Sequence, residues 1–160
     1  MSAHETEQLL RLAYDLYNRR DFARSAELTQ PDAVTVNVPT GQEFAGPEGT
    51  KAYLGIWAAA FPDSTCEVLN VVAGEDGGVV EFIGRGTHTG PLAGPAGTIP
   101  PTGRRIEFRL ADVWKVRDGK FAGNHCYYDA LGLLAQLGVI PAPGAIDISS
   151  ATIATPVPNS

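Results

Sequence analysis

The residues best suited to chemistry are Asp112, His88, His125, Tyr127 and Asp129, all in the second half of the chain. Asp112 lies in Arg104–Arg117, where Ile106, Phe108, Leu110, Trp114 and Val116 share its parity. Alternate residues of a strand face the same way, so five apolar side chains surround one carboxylate. Such a carboxylate must find donors or keep its proton. It is either a structural acid bonded to an arginine or a backbone amide, or an acid/base lining a cavity. In Lys120–Asp129 the odd positions are Phe121, Gly123, His125, Tyr127 and Asp129, with Asn124, Cys126 and Tyr128 opposite. Strict alternation thus puts a His, a Tyr and an Asp on one face, successive positions roughly 7 Å apart. Three groups able to transfer protons would share that face, which is general acid/base chemistry. Asp129 is equally suited to cap a helix starting at Ala130. His88 ends a strand, Gly78–Thr89, in which Gly84 and Gly86 leave room for a close approach or mark a bend; the alternative is a loop-edge imidazole in solvent. The sequence has no nucleophile elbow, P-loop, dinucleotide fingerprint or HExxH. Cys66 and Cys126, sixty residues apart, fit neither a disulfide framework nor a zinc site. The expected chemistry is proton transfer in an apolar pocket, with no metal or cofactor.

The elements that must position these groups follow from periodicity. Ser2 and Glu5 form a capping box ahead of a helical stripe of Leu9, Leu12, Ala13, Leu16 and Tyr17, flanked by Tyr14. Asp21 can cap a second, short helix that stops before Pro31. Val34, Val36 and Val38 alternate with Thr35 and Asn37 as a strand. Gly46-Pro47-Glu48 opens a third helix whose face is Tyr53, Leu54, Trp57, Ala60 and Phe61. From Ser64 the period becomes 2: Cys66–Val72, Gly78–Thr89, Arg104–Arg117 and Lys120–Tyr128 are expected strands. Glu75-Asp76-Gly77-Gly78 and Arg117-Asp118-Gly119-Lys120 are expected hairpin turns, the second of type I′. A short helix, Leu131–Leu137, ends at Gly138. Helices followed by long antiparallel strands make an α+β fold. The sheet should curve around the N-terminal helices into a cone with an internal cavity.

The chain has 160 residues with 12 Lys and Arg against 18 Asp and Glu, a formal charge of −6. That length fits one domain, residues 1–140, followed by a loose Pro/Ser/Thr/Ala-rich tail, 141–160. An acidic chain without a basic run has no electrostatic footprint for nucleic acid or an anionic membrane. No secretory signal or membrane-length apolar run is visible, and the two cysteines are expected to be reduced and buried, pointing to the cytoplasm. Of the 18 Gly and 12 Pro, nine fall among the eighteen residues of Gly86–Gly103, a long loop beside the expected pocket.

Taken together, Arg85-Gly86-Thr87-His88-Thr89-Gly90, Ile99-Pro100-Pro101-Thr102-Gly103-Arg104, Arg117-Asp118-Gly119-Lys120, and His125 with Asp129 and Leu131–Gly138 resemble the SnoaL-like polyketide cyclases, from about Glu7 to Ile140. The resemblance implies the cone shared with nuclear transport factor 2 and ketosteroid isomerase, and a cofactor-independent aldol closure of a polyketide ester. It implies Asp129 as general acid/base. His125, Asp112 and His88 would tune it or bind substrate carbonyls, and Tyr14, Tyr17, Trp57, Phe108, Trp114 and Tyr127 would shape the pocket for an apolar substrate. A homodimer or homotetramer is also implied, with Val113 among Arg109 and Lys115 on the exposed sheet face. Two departures stand out: Asn124-His125-Cys126 replaces the common Glu-His-Trp, and Pro91–Thr98 is longer than usual. Relatives on this cone also isomerise, hydroxylate, dehydrate, open epoxides or close rings pericyclically. A non-catalytic binding protein is a further alternative.

Overall fold

The computed structural model describes residues 1–145 and Ser149. Helix α1 (Ala3–Asn18) begins on the expected capping box: Glu5 N donates to Ser2 Oγ at 3.1 Å, and Ser2 N to Glu5 Oε2 at 2.7 Å. Its buried face is Thr6, Leu9, Leu10, Tyr14, Leu16 and Tyr17. Tyr14 therefore belongs to the interior rather than its flank. Helix α2 (Phe22–Glu27) is capped by Asp21. Strand β1 (Val34–Asn37) turns through Gly41 into β2 (Gln42–Ala45), and α3 (Gly46–Ala60) follows with proline in its first turn. Then come β3 (Thr65–Ala73), β4 (Gly77–Thr87), the small hairpin β5 (Leu92–Gly94) and β6 (Gly97–Ile99), β7 (Arg105–Arg117), β8 (Lys120–Tyr128) and helix α4 (Ala130–Gln136). Neither β2 nor the β5–β6 hairpin was expected: β2 is a short, half-polar edge strand, and β5–β6 lies inside the Gly/Pro-rich loop. Among the described residues no helix is long and apolar enough to cross a membrane.

Six strands pair in the order β2-β1-β8-β7-β4-β3, antiparallel except for β1 beside β8. This is the expected α+β architecture, a curved sheet closed by N-terminal helices. The 117–120 turn has Asp118 and Gly119 at φ 52° and 70°, the positive values of a type I′ hairpin. Two irregularities interrupt the ladder, one in β3 between Val68 and Asn70, the other where β7 meets β8. Such bulges bend a strand and increase its twist. The main core joins Leu9, Leu10 and Tyr14 of α1 and Tyr53 of α3 to Val80, Phe82, Leu110, Val116, Phe121 and Cys126 of the sheet. A second cluster, Ala60, Phe61, Ile106, Leu133 and Leu137, lies under α4. Gly86 serves this second cluster, since a Cβ there would lie 2.9 Å from Phe61 Cβ. The close approach expected at the glycine trough is thus made by the protein's own α3 end. Of the expected tail, Pro143–Ala145 forms a 3-10 turn; residues 146–148 and 150–160 lie outside the described residues.

The second irregularity decides which side chains face inward. Lys115 pairs with Gly123 but Val116 pairs with Phe121, so Ala122 is an extra residue in β8. Phe121 points to the core, and after the bulge the inward set becomes Asn124, Cys126 and Tyr128. His125 and Tyr127 are exposed. The expected face of His125, Tyr127 and Asp129 is therefore corrected: one inserted residue exchanges the two faces of everything beyond it. Strand β7 keeps its expected parity, with Ile106, Leu110, Asp112 and Val116 buried and Phe108 and Trp114 half-buried.

Candidate active site

Helices α1 and α3 and the inner sheet face enclose a cavity of about 110 Å³. Its walls are Tyr14 and Tyr17 from α1, Tyr53, Leu54 and Trp57 from α3, Phe82 from β4, and Phe108, Leu110 and Trp114 from β7. Among these apolar groups stands Asp112, 5% exposed. The Tyr14 hydroxyl donates to Asp112 Oδ2 at 2.7 Å and in turn accepts from Trp114 Nε1 at 3.0 Å. A short chain of donors thus ends on one carboxylate oxygen, while Oδ1 is buried without a hydrogen-bond partner among the described residues. Burial raises the pKa of Asp112 to about 6. Tyr14, Cys126 and Asn124 oppose that rise by favouring the charged form, the last two from outside strict hydrogen-bond geometry. Burial, reinforced by the nearby Asp112 charge, pushes the Tyr14 hydroxyl well above the ordinary phenol range. Tyr14 is therefore a hydrogen-bond donor here, not a base.

The thiols stay protonated. Burial lifts Cys66 to about 12 and Cys126 well above its ordinary value. Both cysteines are free, Cys126 buried and Cys66 half-buried. A carboxyl with a pKa near 6 is mostly ionised at neutral pH yet basic enough to accept a proton. That is the balance a general acid/base needs.

The other candidates divide sharply. Tyr17 lines the cavity, its hydroxyl 2.6 Å from Ser64 Oγ and its ring under the Arg20 guanidinium. Trp57 packs against Phe61, Phe108 and Tyr128 with ring centroids 5.4 to 6.4 Å apart. His88 is wholly buried but does not line the cavity. It packs on Phe61, its Nδ1 accepts from Thr102 N at 3.1 Å, and burial lowers its pKa. The solvated loop edge is thereby replaced by a clamp on the returning loop. Tyr127 is 45% exposed, and His125 lies on the outer face beside Lys115 and Val113. Asp129 caps α4, its Oδ1 accepting from Gly132 N at 2.8 Å. His125, Tyr127 and Asp129 are all absent from the cavity wall.

The cavity and its acid can be set beside known proteins. The model of the SnoaL-like polyketide cyclases matches residues 7–137. The chain belongs to that family. Its fold is similar to that of a protein from Jannaschia Sp. CCS1 assigned as a SnoaL-like polyketide cyclase, at TM-score 0.76 and 19% identity over 87% of this chain and 95% of that one. It is also similar to AclR from Streptomyces galilaeus, assigned as a hydroxylase, at TM-score 0.73 and 26% identity over 88% and 85%. IdmH from Streptomyces antibioticus, assigned as a polyketide cyclase, gives TM-score 0.68 and 28% identity over 83% and 98%. No curated protein matches the chain.

Within this SnoaL-like cone, sequence reasoning missed Tyr53 and Asn124. Tyr53 is buried and among the groups that act on the Cys126 thiol; Asn124 stands beside Asp112. One signal could have found Asn124: a glycine at 123, inside a strand, marks a bulge or a close approach. Shifting the parity there turns Asn124 and Cys126 inward.

Proposed function

We propose that this chain closes a ring in a polyketide ester by an intramolecular aldol reaction, with Asp112 as the general acid/base and no cofactor. The observation that carries this reading is a buried carboxyl in an apolar cavity, held through Oδ2 by Tyr14 and, among the described residues, without a hydrogen-bond partner at Oδ1. In the reaction, the Asp112 carboxylate removes a proton from the carbon next to the ester carbonyl, leaving an enolate. That carbon attacks a ketone carbon of the same molecule, forming the new C–C bond as the ketone π bond becomes an alkoxide. The alkoxide takes the proton back from Asp112, so product and substrate are isomers. Tyr14 holds the carboxylate and favours its charged form. Trp57, Phe108, Trp114 and Tyr17 are the walls against which the substrate folds, an orientation effect able to supply much of the acceleration. The role that the family resemblance gave to Asp129 passes to Asp112, because Asp129 caps a helix outside the cavity.

Asp112→Asn keeps the shape of the side chain and removes the base. Turnover of a polyketide ester should fall by about 10²–10⁴-fold with the fold retained by circular dichroism. Turnover like that of the unaltered protein would overturn the assignment. A second reading, hydroxylation, is favoured by the similarity to AclR. Mass spectrometry separates the two, since aldol closure leaves the mass unchanged and hydroxylation adds an oxygen atom.

A further inference from the structure

One hydroxyl of α1 serves two side chains of β7. Asp112 and Trp114 are two positions apart, so they leave the strand on the same face, roughly 7 Å from each other. The Tyr14 oxygen bridges them, 2.7 Å from Asp112 Oδ2 and 3.0 Å from Trp114 Nε1. A phenol has one hydrogen to give, whereas an indole nitrogen can only donate. The Trp114 contact therefore decides the sense of the other one: the Tyr14 hydrogen is left for Asp112. Donation from Trp114 also lowers the Tyr14 pKa against the rise that burial causes, which makes the hydroxyl a stronger donor. Packing holds both rings in place. Tyr14 lies on Phe82 with ring centroids 4.7 Å apart, and the half-buried Trp114 lies on Phe121 at 4.9 Å.

We infer that Trp114 is a positioning residue that acts through Tyr14: its indole N–H holds the phenol in the one sense that donates to Asp112 Oδ2, whether or not the carboxyl carries a proton. The inference rests on Asp112 being the acid/base proposed above, and it gives Trp114 a task beyond that of a cavity wall. Because Oδ2 always receives the Tyr14 hydrogen, the proton that Asp112 takes up is confined to Oδ1. Removing the indole N–H lets the phenol turn round. A protonated Asp112 then gains an arrangement it lacks now, with Oδ2–H donating to the Tyr14 oxygen, so the acid form is favoured and the carboxyl protonates at higher pH. A purely space-filling Trp114 has the opposite signature. Its truncation would admit water, favour the charged carboxylate and lower the pH of protonation.

The test follows the Asp112 carboxyl of the full chain by carbon-13 NMR as pH is varied. The ionisable groups that meet its charge are Tyr14 of α1, Tyr53 of α3, Cys66 of β3 and Cys126 of β8, all raised by burial, and β4 opposes it with Val80. Those four groups stay neutral while Asp112 titrates. Trp114→Phe should move the midpoint upward by about 0.5–1 pH unit, with the fold retained by circular dichroism. In a Tyr14→Phe background the same change should bring no further rise, because the hydroxyl through which Trp114 acts is gone. A midpoint unchanged or lowered by Trp114→Phe would overturn the inference, as would an equal rise in the Tyr14→Phe background. If Trp114→Phe does not fold, the unaltered protein decides: the Trp114 indole N–H resonance should titrate with the Asp112 midpoint, and a resonance indifferent to it would overturn the inference. None of these measurements needs substrate, so they stand apart from the Asp112→Asn loss of turnover that tests the acid/base reading.

Discussion

On the inner face of the sheet, Asp112 and Asn124 are almost fully buried among aromatic side chains, with a donor chain from Trp114 through Tyr14 fixing the acid. On the outer face of the same two strands, His125 sits in a cross-strand row with Val36, Val113 and Val79, and Tyr127 is exposed. Residue type alone favours the outer set, which has the imidazole, the phenol and, just beyond the strand, a second carboxylate. Environment favours the inner set, because burial gives Asp112 the pKa of about 6 that a proton shuttle requires. The contrast shows that proton-transfer chemistry is assigned by desolvation and partners rather than by the density of titratable groups. It also shows how narrow the margin is, since the extra residue Ala122 settles which face each side chain takes.

Deleting Ala122 attacks that margin directly. Phe121 and Gly123 would then be adjacent opposite Val116 and Lys115, so Asn124 and Cys126 stay inward, His125 and Tyr127 stay outward, and a cooperatively folded protein is expected by thermal denaturation. Loss of the native-like transition would show that the bulge does more than set the register of the two faces.

Asp112 also predicts an opposition between stability and activity. The folded protein holds this proton up to pH about 6, whereas the ordinary carboxyl value is 3.8. The folded state therefore binds more protons than the unfolded chain between those values, and stability falls as pH rises through them. The contribution is fully present below about pH 4 and lost above about pH 6, on the order of 3 kcal/mol. Asp112→Asn should remove this component from the pH dependence of the urea midpoint and raise the midpoint at pH 8, while turnover falls. An unchanged pH dependence would contradict the buried, raised carboxyl.

Tyr14→Phe removes a donor that favours the charged acid. The acid limb of the rate profile should move to higher pH, with roughly a tenfold loss of rate on the acid side. A limb that stayed in place would separate Tyr14 from the chemistry.

On the other side of the comparison the effects shrink. Asp129→Ala should cost about 1 kcal/mol through the lost cap of α4, seen as a lower urea midpoint, with little change in turnover. His125→Ala should leave turnover within about twofold. A large loss of rate from either would return the outer set to the mechanism.

The sequence made Asp112 legible because β7 is regular over its length, and the alternation of Ile106, Phe108, Leu110, Trp114 and Val116 needs no knowledge of any neighbour. The helix faces and the Asp118-Gly119 turn were legible for the same reason, each being a local pattern. Strand β8 was not, because a bulge is a relation between two strands and period-2 counting across Ala122 carries the wrong parity onward. The burial of His88 depends on Thr102, fourteen positions away, and on Phe61 from another element. Asn124 became visible only once β8 was seated beside β7. The short β2 has no apolar alternation to detect, since Gln42 and Glu43 make up half of it.

The clamp at His88 has a meaning for how this cone can diversify. His88 N donates to Arg104 O at 2.9 Å, Gly103 N donates to His88 O at 2.8 Å, and the imidazole takes the Thr102 amide, so residues 88 and 102–104 are stitched together at the root of the Gly/Pro-rich loop. The β5–β6 hairpin hangs beyond that stitch. Closing a longer loop costs free energy only logarithmically in its length. Gly90 N donates to Ala60 O, and Leu92 and Ile99 pack on the Phe61 cluster, so only the exposed tip 93–98 is insulated from the acid: insertions and deletions there can reshape the protein's outline without moving the strands that hold Asp112.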